Sequence, residues 1–198
     1  MSVFPDFLDE SSLQVAKKLL GCIIEREING QSVSGRIVET EAYDQSDAAS
    51  HSYRGETARS AVMFGESGHA YIYFTYGMHY CFNVSTGPIG HGAGVLIRAL
   101  EPISGLEVMS ANRIGKVDHD LTNGPAKLCQ ALGIDKMLGG HDLRKRPFRL
   151  RAGELAGAES IIQTTRIGIS QAVDEPWRFY IEGNPYVSKA INRQSRPK

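Results

Sequence analysis

Two strand-like runs, Cys22 to Ile28 and Ser32 to Tyr43, meet at Asn29-Gly30. A two-residue hairpin loop needs positive φ at both positions, and Asn-Gly is the pair that tolerates this best, so the dipeptide commits the chain to an antiparallel pair. A second hairpin is expected where Tyr71 to Tyr76 and His79 to Ser85 flank Gly77. A third apolar strand, Ala93 to Leu100, follows the glycine-rich stretch Gly87 to Gly94 and is closed by Glu101-Pro102. Helical spacing lies elsewhere. Ser11 or Ser12 caps a run with Leu13, Ala16, Leu19 and Leu20 that stops at Gly21. Ile103 to Arg113 reads as a second helix, and Asn123 to Gly133 as a third, with Pro125 early and Gly133 just past its end. Short strands follow at Ser160 to Ile167 and Arg178 to Glu182, then a polar tail from about residue 189. Hairpins grouped apart from helices predict an α+β fold with a largely antiparallel sheet, a single domain over residues 1–198. No glycine cluster carries a dinucleotide fingerprint.

Composition narrows the function classes. The chain has 22 basic and 22 acidic residues, so any surface for a polyanion must come from local segregation of charge. Cys22, Cys81 and Cys129 are odd in number and far apart, which fits reduced thiols in a cytosol. There is no Cys-x-x-Cys pair and no His-Glu-x-x-His, so no metal site is expected. The start of the chain lacks the basic and apolar run of a signal peptide, and no apolar stretch is long enough to span a bilayer. The expectation is a cytoplasmic protein with no cofactor and no membrane partner.

The chemistry-bearing residues sit where the pattern is least ordinary. In Gly35 to Tyr43, the side chains of Ile37, Glu39, Glu41 and Tyr43 alternate onto one strand face. Two glutamates on a buried face are costly, so either that face is wet, the commoner case for Glu-x-Glu, or the carboxylates have a task. Glu41 is the candidate general base, a role that needs an ionised carboxylate held near a water, with Tyr43 beside it. Tyr71, Tyr73 and Thr75 share a face of another strand. Aromatic alternation is usually core packing, but so many buried hydroxyls would each need a partner, and a slot open to a ligand needs fewer. Tyr76, just before Gly77-Met78 at a hairpin tip, has little to pack on and is placed to enter a base stack. Arg98 interrupts the apolar run Val95 to Leu100, and a buried arginine needs an anionic partner. Asn83 interrupts Tyr80 to Val84, where a buried amide must be hydrogen-bonded. His51 lies on the polar loop Gln45 to Gly68, where a histidine is usually just exposed. The basic run Arg144 to Arg151, through Arg144 and Arg146, joins Arg54, Arg59 and Lys127 as candidate phosphate contacts, although a solvated charged turn is the commoner reading.

Five segments together resemble the alkyladenine (3-methyladenine, methylpurine) DNA glycosylase family: Gly35 to Tyr43, Ala70 to Asn83, Val95 to Pro102, Leu121 to Cys129 and Arg178 to Ser188. They occur in the family's order, within a match from about Phe7 to Ser188. The resemblance implies a single α+β domain with a curved antiparallel sheet, flanking helices and a protruding hairpin. It implies a base-excision-repair enzyme that flips alkylated or deaminated purines from duplex DNA and hydrolyses the N-glycosidic bond without cleaving the strand. Carried over residue by residue, Glu41 matches the water-activating glutamate, and Arg98 an arginine that helps to place the water and the DNA backbone. Tyr43, His51 and Tyr73 match the residues lining the base pocket, Asn83 the asparagine that disfavours a purine 2-amino group, and Tyr76 the intercalating tyrosine. Ser60 departs from the asparagine that family members often carry there. The implied partner is duplex DNA containing damaged purines, met by a monomer, associated with the nucleoid in a bacterial source. Two other readings stay open at this level. One is a non-catalytic nucleic-acid-binding module on the same fold. The other is a sugar glycosidase using Glu39 and Glu41, about 7 Å apart by strand rise, as an inverting pair.

Overall fold

The computed structural model describes residues 3–75, 77–116 and 118–188. The polar tail expected from about residue 189 lies outside the described residues. Helix α1 (Ser12–Lys18) ends at Leu19, and Gly21 at φ +91° turns the chain into β1 (Ile23–Ile28). A Cβ on Gly21 would lie 2.7 Å from the Glu154 carbonyl, so only glycine fits that corner. Strand β2 (Gln31–Tyr43) returns through Asn29 (φ 50°) and Gly30 (φ 78°), with Ile28 opposite Gln31, as the Asn-Gly signal requires.

Strands β3 (Ala70–Thr75) and β4 (His79–Ser85) form the second hairpin, with Thr75 opposite His79. Strand β5 (Gly94–Ser104) runs further than the sequence suggested, past Glu101-Pro102, where a stop was expected. Strand β4 pairs β5 only at Gly94 to Leu96. At Pro102 the named partner is therefore β2 alone, and a strand paired on one side tolerates a residue that cannot donate. Helix α2 accordingly begins at Leu106, not Ile103, after Gly105 at φ +77°, and spans Leu106–Asn112. Helix α3 (Pro125–Ala131) has Pro125 in its first turn and Gly133 beyond its end. Strands β6 (Phe148–Arg151), β7 (Ile161–Thr164) and β8 (Arg178–Ile181) complete one eight-stranded sheet.

All the strand pairs are antiparallel, in the order β3-β4-β5-β2-β1-β6, with β8 pairing both β2 and β7. The sheet curls. Gly140 and His141 hydrogen-bond Ala70, and Leu143 bonds both Gly68 and Leu150, so one segment links the start of β3 to β6. This is the predicted α+β architecture, with helices α1 and α3 packed on β2, β4 and β5. Phe82, Phe148, Phe179, Ile37, Ile97 and Leu128 are among the fully buried side chains of the core, and the Phe82 and Phe148 rings stand 4.8 Å apart.

Strand β2 carries the feature that positions the site. Its pairing with β5 runs Ile37 to Leu100, Glu39 to Ala99, then Thr40 to Ile97. The register therefore skips Val38 on one strand and Arg98 on the other. Such bulges bend a strand and re-aim a side chain, and these two flank Glu39.

Candidate active site

The strand face that carries the two glutamates is dry: Glu39 and Glu41 are both 0% exposed. The wet-face expectation for Glu-x-Glu fails here because the bulge delivers Arg98 between the two carboxylates. Arg98 Nε donates to Glu39 Oε1 at 3.0 Å, and Arg98 Nη1 lies 3.1 Å from Glu41 Oε1. Burial works against the Arg98 charge, but Glu41 and Glu39 outweigh it and hold the guanidinium protonated beyond its ordinary range. Glu41 has two further donors: the Ile167 N–H gives 2.8 Å to Oε1, and the Tyr43 hydroxyl gives 2.9 Å to Oε2. A carboxylate offers about four acceptor sites. Two hydrogen-bond donors and the Arg98 ion pair, among the described residues, leave room for a water.

Glu41 lies in the wall of a cavity of about 730 Å³. Tyr43, His51, Tyr71, Tyr73, Asn83 and Arg98 line it together, so the candidate general base, its arginine and all the expected pocket residues converge on one space. The His51 and Tyr73 rings meet edge to face at 4.6 Å, and His51 Nδ1 shares a hydrogen bond with the Tyr71 hydroxyl at 2.9 Å. Burial, then the Arg59 charge, lowers the His51 pKa, which favours neutral imidazole near pH 7. The Asn83 amide donates to the Tyr71 carbonyl at 3.1 Å, which fixes its orientation against the cavity.

Burial, foremost, raises both the Tyr43 and the Tyr73 phenol above the ordinary tyrosine value, with the Glu41 charge adding to the rise at each. Their folded-state values exceed the unfolded ones, so this stabilisation is full below about pH 10 and is lost as pH climbs through the folded values. Burial raises the Tyr71 phenol as well, so ultraviolet titration of the native protein is expected to leave three of its eight tyrosines un-ionised past that point, and they should ionise only as the fold is lost. Native-state ionisation of all eight near pH 10 contradicts this burial.

The candidate phosphate contacts divide. Arg59 is exposed at the cavity, its guanidinium 5.5 Å from the Tyr73 ring centre. Arg54 is exposed on the same loop. Lys127 pairs with Asp120 at 3.2 Å and Asn123 at 2.6 Å, two residues beyond the cavity residue Pro125. Arg144 stacks on Phe4 and pairs with Asp142, Arg146 pairs with Glu27, and neither lines the cavity. Much of the basic run is thus spent on strand-edge ion pairs, with Arg149 and Arg151 both on Glu25. Tyr76, the candidate intercalating residue, lies outside the described residues. Its neighbours on the hairpin are exposed, Phe74 at 51% and Met78 at 69%.

Several residues of the site carry no local signature of it. The Arg166 guanidinium sits 4.7 Å from the Tyr43 ring centre and 5.1 Å from that of Trp177, and it is paired with buried Asp47. Arg178 Nη1 donates to Glu39 Oε1 at 2.8 Å, and Ser188 caps the same carboxylate with its N–H at 2.7 Å and its hydroxyl at 2.9 Å. Arg166 follows Gln163-Thr164-Thr165, so unlike Arg98 it interrupts no apolar run and gives no such signal. Ile167 acts through its backbone and has no side-chain signal at all.

The sequence matches the model of the family described as methylpurine-DNA glycosylase over residues 6–185. A protein of Carboxydothermus hydrogenoformans, provisionally named a 3-methyladenine DNA glycosylase, is 54% identical over 184 residues, 92% of this chain and 96% of its own. Proteins with the same name from Methanoculleus marisnigri and Francisella tularensis are 50% and 48% identical, over 92% and 90% of this chain and 96% and 94% of their own.

Proposed function

The chain belongs to the methylpurine-DNA glycosylase family, and we propose that it removes 3-methyladenine-type and other damaged purines from duplex DNA by hydrolysing the N-glycosidic bond. The observation that carries this reading is a buried carboxylate, Glu41, facing a cavity walled by Tyr43, His51 and Tyr73. The sugar carbon of a stacked nucleotide is out of reach, so the nucleotide leaves the helix and its base enters the cavity. Tyr76, by its match to the family's intercalating tyrosine, is assigned to fill the place of the missing base. Aromatic faces favour an N-alkylated purine because that base is cationic, by about 0.5–2 kcal/mol for a good cation–π contact. The Asn83 amide, which lines the cavity, is assigned the role of disfavouring a purine that carries a 2-amino group.

An alkylated purine is also a good leaving group, so water activated by one carboxylate suffices, without the acid partner of ordinary glycosidases. Glu41 keeps one acceptor position for that water, and Arg98 with the Ile167 N–H holds the carboxylate in place. Among the described residues the cavity offers a carboxylate and no lysine amine, which supports base removal without strand cleavage. A panel of duplexes, each with one defined lesion, tests this. Free base and alkali-labile abasic sites are expected from methylated purines, with the strand intact before alkali. Binding without base release would instead fit a non-catalytic module, and direct nicking would overturn the hydrolytic reading.

A further inference from the structure

One side chain reaches the groups that hold both supports of Glu41. The carboxylate's Oε1 is held by Arg98 Nη1 and by the Ile167 N–H. Arg98 is held in turn by Glu39, and Ile167 by the segment that leads into it. Arg178 lies opposite Glu41 in the β2–β8 ladder, and its side chain is 10% exposed. Its Nη1 donates to Glu39 Oε1 at 2.8 Å, while its Nε donates to the Thr165 carbonyl at 3.1 Å, two residues before Ile167. The planar fork of an arginine can keep both acceptors at a fixed separation, which a lysine ammonium cannot.

The charge account points the same way. Arg98 serves two buried carboxylates, and a second buried cation on Glu39 leaves more of the Arg98 charge to Glu41. The other groups around Glu41 are Tyr43 on β2, Tyr73 on β3, Cys81 on β4, and Arg166, which Asp47 neutralises. None of these touches Glu39.

We infer that Arg178 is the positioning residue of the active site, fixing both donors on Glu41 from outside the cavity. This rests on Glu41 being the base. The test is single-turnover release of methylated purines from duplex DNA treated with a methylating agent, followed across the acid to neutral range. Arg178→Gln is expected to lower the plateau rate by about 10²-fold, the order of a misplaced catalytic group. Its acid limb should move to higher pH, because a buried positive charge beside the carboxylates is gone. Lesion affinity should stay native. Arg178→Lys restores the charge but not the fork, so its acid limb should return to native while its plateau stays depressed. A native plateau and acid limb in Arg178→Gln overturn the inference, as does a loss that merely tracks the folded fraction. If Arg178→Gln does not fold, the lysine variant decides: a depressed plateau supports the role and a native one overturns it. Glu41→Gln run in parallel separates the two ideas, since base release surviving there would mean that the reading of Glu41 had failed.

Discussion

Glu41→Gln is expected to lower single-turnover base release by roughly 10²–10⁴-fold, the usual contribution of a general base, while the protein still folds and still binds a lesion duplex. Glutamine has the same shape, so its carbonyl can take the Arg98 and Ile167 donors while its NH₂ meets the Tyr43 oxygen. Arg98 keeps Glu39 as a counter-ion but shares it with Arg178, so two buried guanidiniums are left with one buried carboxylate. Removing one partner of a buried ion pair costs stability, while the retained glutamine hydrogen bonds limit the loss. The melting temperature should therefore fall, by less than for a substitution that removes the acceptor as well. Base release that persists undiminished, with binding unchanged, would show that Glu41 is not the base.

The hairpins and the oddity of Arg98 and Asn83 are visible in the sequence for a physical reason, while the convergence of the site on one pocket rested on the family resemblance. Asn29-Gly30 has few conformational alternatives, and Arg98 and Asn83 are polar groups inside apolar runs that had to find partners. What stayed hidden was of another kind. The bulges at Val38 and Arg98 are properties of pairing between two strands, and no residue pattern in either strand encodes them alone. The Ile167 N–H carries no side-chain mark. The pairing of Glu39 with Arg178 and Ser188 spans more than a hundred positions of chain. Alternation also cannot tell a wet face from a dry one, and the outcome for Glu39 and Glu41 was decided by which cations the fold delivered. Pro102 reads as a strand end and Gly105 falls inside the expected helix Ile103 to Arg113, yet the strand ends just before Gly105, because the β5 edge at Pro102 asks no N–H of it.

Glu39→Ala is expected to do the opposite of Glu41→Gln, to destroy stability first. Glu39 already carries four donors: Arg98 and Arg178 donate to Oε1 together with the Ser188 hydroxyl, and the Ser188 N–H donates to Oε2. Removing that carboxylate leaves two buried guanidiniums facing each other and an orphaned backbone N–H. Breaking a buried pair from one side costs about 3–5 kcal/mol, or roughly 10 °C in melting temperature for a chain of this size. Glu39→Gln keeps the acceptor but not the charge and should fall between, with residual base release. The contrast bears on the sugar-glycosidase alternative, which needs both glutamates to reach the substrate as acid and base. Glu39 is fully buried beneath four donors and does not line the cavity. A Glu39→Gln protein that melts like the native one but releases no base would put Glu39 back into the chemistry. A destabilised protein that retains base release leaves it where its four donors hold it, behind Arg98.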